Sequence, residues 1–212
     1  MKKLTTVTLR DFRRALDGRT PEPLDRYRYF SVLVPLVERN GELHLLYQLR
    51  SETLRRQPGE VGFPGGKVEL GETPLDCAVR ETMEELGVPR ESIDVVGELD
   101  YIHSYSNFTM YAFLASIADA DFAGTINRAE VQEVFTVPIS FFMENEPEIY
   151  NYELLPNIGV DFPYDRIQPK GAYKWRTGSA TVPIYNYEGR VIWGLTGRIT
   201  LRLIDILKNS FE

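Results

Sequence analysis

The sequence predicts a single α/β domain over residues 1–212, and three observations carry that expectation. Short blocks rich in β-branched and aromatic residues recur along the chain, separated by Gly, Asn and Pro turns. Residues 74–86 are bracketed by helix start and stop signals, and residues 193–209 place Leu195, Ile199, Leu203 and Ile206 at helical spacing. A length of 212 residues suits one well-buried core, with no internal repeat or low-complexity linker to divide it.

Taken in order, "TLRDFRRAL" (8–16) reads as a short helix and "DGRTPEPLDRY" as the loop after it. Two apolar runs, Ser31–Val37 and Leu43–Leu49, flank Asn40-Gly41 and predict a β-hairpin. Residues 50–72, rich in Gly, Pro and Arg, read as a long ordered loop, a feature that usually serves function. Helix 74–86 follows. "SIDVVGELDYIHS", "TMYAFLASI" and "EVQEVFTVPI" then read as strands, and "ISFFMEN" as a short helix. Residues 149–192 alternate aromatics with turn residues, and 193–209 close the chain as a helix. Both terminal helices are expected to pack on the domain.

Composition excludes several classes. A net charge of −7 argues against non-specific nucleic-acid binding, which needs a basic surface. One cysteine, Cys77, leaves no intrachain disulfide framework. No apolar run approaches the ~20 residues that span a bilayer, and the first sixteen residues lack an apolar signal region. The expected location is cytoplasmic, with no membrane partner; a homodimer stays open.

Helix 74–86 breaks local rules. Thr73-Pro74 is a strong start and Gly87 a strong stop, yet "RETMEELGV" sets Glu81, Glu84 and Glu85 three and four residues apart, where like charges repel. Glu84 and Glu85 also fall in the last turn, where the helix dipole disfavours negative charge. The apolar face is Leu75, Ala78, Val79, Thr82, Met83 and Leu86, with the three acids roughly opposite and Arg80 beside Glu84 at i, i+4. A solvated acidic face is the plain reading. The preceding loop "GFPGGKVELGE" offers another, because its glycines let backbone carbonyls and Glu72 approach the same side as the acids. Carboxylate and carbonyl oxygens suit Mg²⁺ or Mn²⁺, which also bind through water and substrate phosphate.

Gly66, Glu72 after five residues, and "RETMEELGV" after seven more resemble the Nudix box, Gly-x5-Glu-x7-Arg-Glu-U-x-Glu-Glu-x-Gly-U, with Thr82 a departure at the first bulky position U. The resemblance implies an α/β/α sandwich with a mixed sheet, and hydrolysis of a nucleoside diphosphate linked to another group. Upstream, Arg50-Ser51, Arg55, Gly59 and Phe63-Pro64-Gly65-Gly66 resemble the signature of the coenzyme A pyrophosphatase branch. That branch's preceding Leu-Leu-Thr is replaced here by Leu46-Tyr47-Gln48, while "VIWGLTGRI" resembles its ending.

The resemblance implies catalytic roles for Arg80, Glu81, Glu84, Glu85 and Glu72, the last three acids of the box and the Gly66 carbonyl being the expected metal ligands. Arg80 is expected to position Glu84. An acid from a later loop is a further expectation, with Glu130 chosen over Glu133. Arg50, Ser51, Arg55, Gly65 and Gly66 are the candidate substrate contacts, although a solvated basic loop would account for the arginines. "PYDRIQPKGAYKWR" (163–176) reads either as a nucleotide-stacking segment or as a surface hairpin, and His103 and Cys77 as structural residues. The expected substrate is a coenzyme A-like nucleotide, cleaved to 3′,5′-ADP and 4′-phosphopantetheine. ADP-ribose or a dinucleoside polyphosphate is the alternative within the same chemistry, and a nucleotide-sensing module without catalysis is the alternative outside it.

Overall fold

A computed structural model describes residues 7–21, 23–24, 27–118, 122, 126–167 and 173–211. Strand β1 (Arg28–Arg39) and β2 (Glu42–Arg50) form the expected hairpin, pairing Leu36 with Leu45 through Arg39 with Glu42. Asn40 and Gly41 both take positive φ, 54° and 80°, as a two-residue turn matched to strand twist requires. The 50–72 stretch is not loop throughout. β3 (Val61–Gly62) pairs with β2, and β4 (Gly65–Lys67) pairs with β1. Strands of two or three residues inside a Gly-rich segment carry no periodicity, so no pattern announces them.

Helix α2 (Pro74–Leu86) follows, then β5 (Ile93–Glu98), β6 (Ile102–Ser104), β7 (Phe108–Ile117), β8 (Val131–Pro138) and the short α3 (Ile139–Glu144). The stretch expected as one strand over 92–104 is thus two, β5 and β6, both antiparallel to β7. The main sheet runs β3-β2-β1-β7-β5, with β4 on β1, β6 on β7 and β8 on β2. β1 and β7 are parallel and the remaining pairs antiparallel, so the sheet is mixed.

Side chains alternate across this sheet and separate two cores. Val32 and Val34 of β1, Leu45 and Tyr47 of β2 and Ala112 of β7 face one way. They meet Phe142 of α3 and Ile199, Leu203 and Ile204 of α5 (Gly194–Asn209). Leu33, Val37, Leu46, Phe113, Ala115 and Ile117 face the other way, onto Ala78, Val79 and Leu86 of α2. Burial on both faces explains the nearly continuous apolar run of β1. The result is a sheet layered between helices.

A second sheet of β9 (Glu148–Leu154), β10 (Gly178–Tyr187) and β11 (Arg190–Ile192) lies on the α5 side, where Tyr185 and Ile192 join that core. α4 (Tyr164–Ile167) is a single turn in the 163–176 stretch, of which residues 168–172 lie outside the described residues. Its neighbours Phe162, Tyr164, Tyr173 and Trp175 contact one another edge to face, and the Trp175 indole N–H donates to the Tyr164 hydroxyl at 3.1 Å. α1 (Leu9–Leu16) differs from expectation. It buries no residue and leaves Leu9, Phe12 and Leu16 exposed.

Candidate active site

The bounds of α2 follow from its caps. The Thr73 hydroxyl accepts from Asp76 N–H at 3.2 Å, Pro74 opens the helix, and Gly87 in the left-handed region donates to the Met83 carbonyl at 3.0 Å. Where the acids go differs from the expected single exposed face. Glu84 is exposed and Glu81 half-buried, but Glu85 is only 3% exposed. Glu85 points beneath α2 toward the sheet, where its Oε2 accepts from Gln48 Nε2 and from Gly65 N–H, each at 2.9 Å. A wheel drawn from residue type alone assigns every glutamate to solvent; donors from two distant segments bring this one inside.

Burial sets its chemistry. Loss of water pushes the Glu85 carboxyl up to about 7, against the opposing pull of its two hydrogen bonds and the Arg50 charge. Burial likewise raises Glu81 against the pull of Arg80, with the charges of Glu84 and Glu130 adding to the rise.

Arg80 serves mainly another acid than the expected Glu84. Its guanidinium grips Glu72 through two nitrogens, at 2.8 and 3.2 Å, and reaches Glu81 at 2.9 Å, while its distance to Glu84 is 3.4 Å. The grip holds the Glu72 carboxyl below its ordinary value. Arg80 therefore ties the loop ahead of α2 to the middle of the helix.

The glycine pair is required by close approach. A Cβ at Gly66 would run into the Glu81 carboxylate, and one at Gly65 into the Ser31 carbonyl and Val32. The Gly66 carbonyl lies on α2, close to Cys77, whose thiol donates to it at 3.7 Å. Burial pushes that thiol up to about 12, which leaves no reactive thiolate.

Other site residues arrive from β2 and the 127–130 turn. Arg50, at the end of β2, sits close enough to Glu85 to act on its charge, and its own Nε is buried with no hydrogen-bond partner among the described residues. Asn127 N–H donates to the Glu85 carbonyl and Ser51 N–H to the Glu130 carbonyl, both at 2.9 Å, which draws this turn against the end of α2. Glu130 is exposed there and near enough to act on Glu81, whereas Glu133 is held by Arg190 at 2.7 Å. Ser51 turns its hydroxyl to Thr53 at 2.8 Å, and Arg55 is exposed. His103 bonds Thr109 at 2.8 Å.

Among the described residues no three acidic, His or Cys side chains close into a cation cage. The chemistry of the donors nevertheless fits a hard divalent ion: carboxylates at Glu81, Glu84 and Glu85, and a backbone carbonyl at Gly66, a residue whose Cα packs against Glu81. Mg²⁺ and Mn²⁺ accept one or two carboxylates and take the remaining ligands from water and phosphate.

The NUDIX domain family profile matches residues 28–157 of this chain. The chain belongs to the Nudix family. The Nudix box is the β4–α2 unit described above. The peroxisomal coenzyme A diphosphatase NUDT7 of Mus musculus is 38% identical over 135 residues, 63% of this chain and 56% of that protein. Nudix hydrolase 3 of Caenorhabditis elegans is 42% identical over 51% of this chain and 47% of its own length. The chain thus spans about half the length of these two relatives. The mitochondrial coenzyme A diphosphatase NUDT8 of Homo sapiens is 31% identical over 92% of this chain and 76% of its own.

Proposed function

We propose that this Nudix domain hydrolyses the pyrophosphate of coenzyme A or a close derivative to 3′,5′-ADP and 4′-phosphopantetheine, with Mg²⁺ or Mn²⁺. The observation that carries the reading is Arg50. The half-buried Arg50 stands beside the Glu85 carboxylate with its Nε unpartnered among the described residues, so a guanidinium suited to phosphate oxygens adjoins an oxygen suited to a cation. Arg50 also opens the 50–66 segment that resembles the coenzyme A branch, and NUDT7 and NUDT8 are named for that activity.

The divalent ion supplies, when bound, an acidified water and charge neutralisation on the leaving phosphate. The chain's own residues do the rest. Glu81, Glu84 and Glu85 with the Gly66 carbonyl hold the ion, and Arg80 with Glu72 locks the loop that presents Gly66. Arg50 orients the pyrophosphate, and Arg55 is free to reach an outlying phosphate. Glu130 or Glu81, neighbours in charge, takes the proton of the attacking water.

A hydrolysis screen over coenzyme A, ADP-ribose, NADH and diadenosine polyphosphates, in Mg²⁺ and in Mn²⁺, tests the reading. Coenzyme A should have the highest kcat/KM. Faster cleavage of ADP-ribose would overturn the substrate and keep the chemistry.

A further inference from the structure

Gln48 lies outside the Nudix box and outside the 50–66 segment, yet it makes a close contact with the site. It stands in the middle of β2, paired with Gly62 of β3 on one side and Val134 of β8 on the other, and is 1% exposed. Alternation along β2 turns Leu45, Tyr47 and Leu49 to the α5 core, and Leu46, Gln48 and Arg50 to α2. A polar amide in so dry a position is costly unless it is paired. Nε2 donates to Glu85 Oε2 at 2.9 Å, while Oε1 is buried with no partner among the described residues. The contact with Glu85 is therefore the one side-chain hydrogen bond that Gln48 makes among the described residues.

We propose that Gln48 is a positioning residue that, with Gly65 N–H, fixes Glu85 Oε2 and leaves Oε1 as the oxygen presented to the divalent ion. Both donors converge on the same oxygen, one a buried side-chain amide on β2 and the other the backbone N–H of the turn into β4, so the carboxylate is held before any ion arrives. Ligating carboxylates are commonly held by such outer hydrogen bonds, whose loss costs about ten- to a hundredfold in metal affinity or activity.

The inference rests on reading α2 as the ion-holding helix, and one experiment separates the two. Mn²⁺ is titrated into the substrate-free protein, up to millimolar concentration, for the wild type, Gln48→Met, Glu85→Gln and the double variant. Methionine matches glutamine in length and lacks the donor. Gln48→Met should weaken Mn²⁺ binding about tenfold or more, and should have no further effect once Glu85 is already glutamine. If Gln48→Met does not fold, Gln48→Leu serves, since leucine also lacks the donor and adds no carboxyl beside Glu85. Unchanged Mn²⁺ affinity in a folded Gln48 variant, or additive effects in the double variant, would overturn the role of Gln48. Mn²⁺ binding in the wild type that Glu85→Gln leaves untouched would overturn the ion-site reading itself, and the inference with it.

Discussion

Glu85→Gln should make the protein more stable and almost inactive, and both effects follow from the position of one carboxyl. Its pKa is raised from 4.5 to about 7 by burial. Below pH 4.5 the group is protonated in folded and unfolded chains alike, so it imposes no penalty. As pH rises through 7 the folded protein must ionise a carboxyl that the unfolded chain ionises at lower pH. The stabilising contribution of the neutral form is then lost. At pH 8 that loss is on the order of 3 kcal/mol. A glutamine oxygen can still accept from Gln48 and Gly65, so both hydrogen bonds survive while the charge is removed. In EDTA at pH 8 the variant should melt several degrees above the wild type, since about 1 kcal/mol moves the Tm of a chain this size by roughly 2–4 °C. The gap should close by pH 4.5. Added Mg²⁺ should raise the Tm of the wild type and leave the variant nearly unmoved. Turnover in Mg²⁺ should fall by about a hundredfold or more. A Tm difference independent of pH would refute the burial reasoning, and turnover near that of the wild type would refute the ion assignment.

Arg80→Ala should destabilise the fold by about 1–2 kcal/mol in urea unfolding, because it strands Glu72 and Glu81 together; Arg80→Lys should recover little, since Glu72 is gripped by two nitrogens. Gly66→Ala should displace Glu81 and cut kcat roughly ten- to a hundredfold, and a folded variant with normal kcat would remove the close approach from the account. Glu130→Gln should lower kcat/KM by about a hundredfold if Glu130 takes the water's proton, whereas Glu133→Gln should not, its carboxylate being engaged by Arg190; equal effects would place the base elsewhere.

Some of this was legible in the sequence, and the reason differs from element to element. α2 could be bounded because its caps are local chemistry, a Thr-Pro start and a glycine stop that depend on no distant partner. The β1–β2 hairpin was equally local. The site's inner half was not. Glu85 reads as one more surface acid until β2 and the Gly65 turn supply its donors, and both lie at least twenty residues away in sequence. Gln48 left one faint signal, a polar residue ending the Leu45-Leu46-Tyr47 run, where only the structure shows that its neighbour is a carboxylate. The Arg80–Glu72 grip was hidden for a similar reason: helix spacing suggests Glu84, and the loop's path decides for Glu72. In α1 the exposed Leu9, Phe12 and Leu16 show that amphipathic spacing alone does not guarantee a packing partner.

Under the proposed function, the carboxylates of α2 are required for cleavage of a coenzyme A pyrophosphate. The most direct test is product analysis of coenzyme A incubated in Mg²⁺ with the wild type and, in parallel, with Glu85→Gln. The wild type should give 3′,5′-ADP and 4′-phosphopantetheine in equal amounts, and the variant almost none. Intact coenzyme A after incubation with the wild type, or equal product from both proteins, would contradict it.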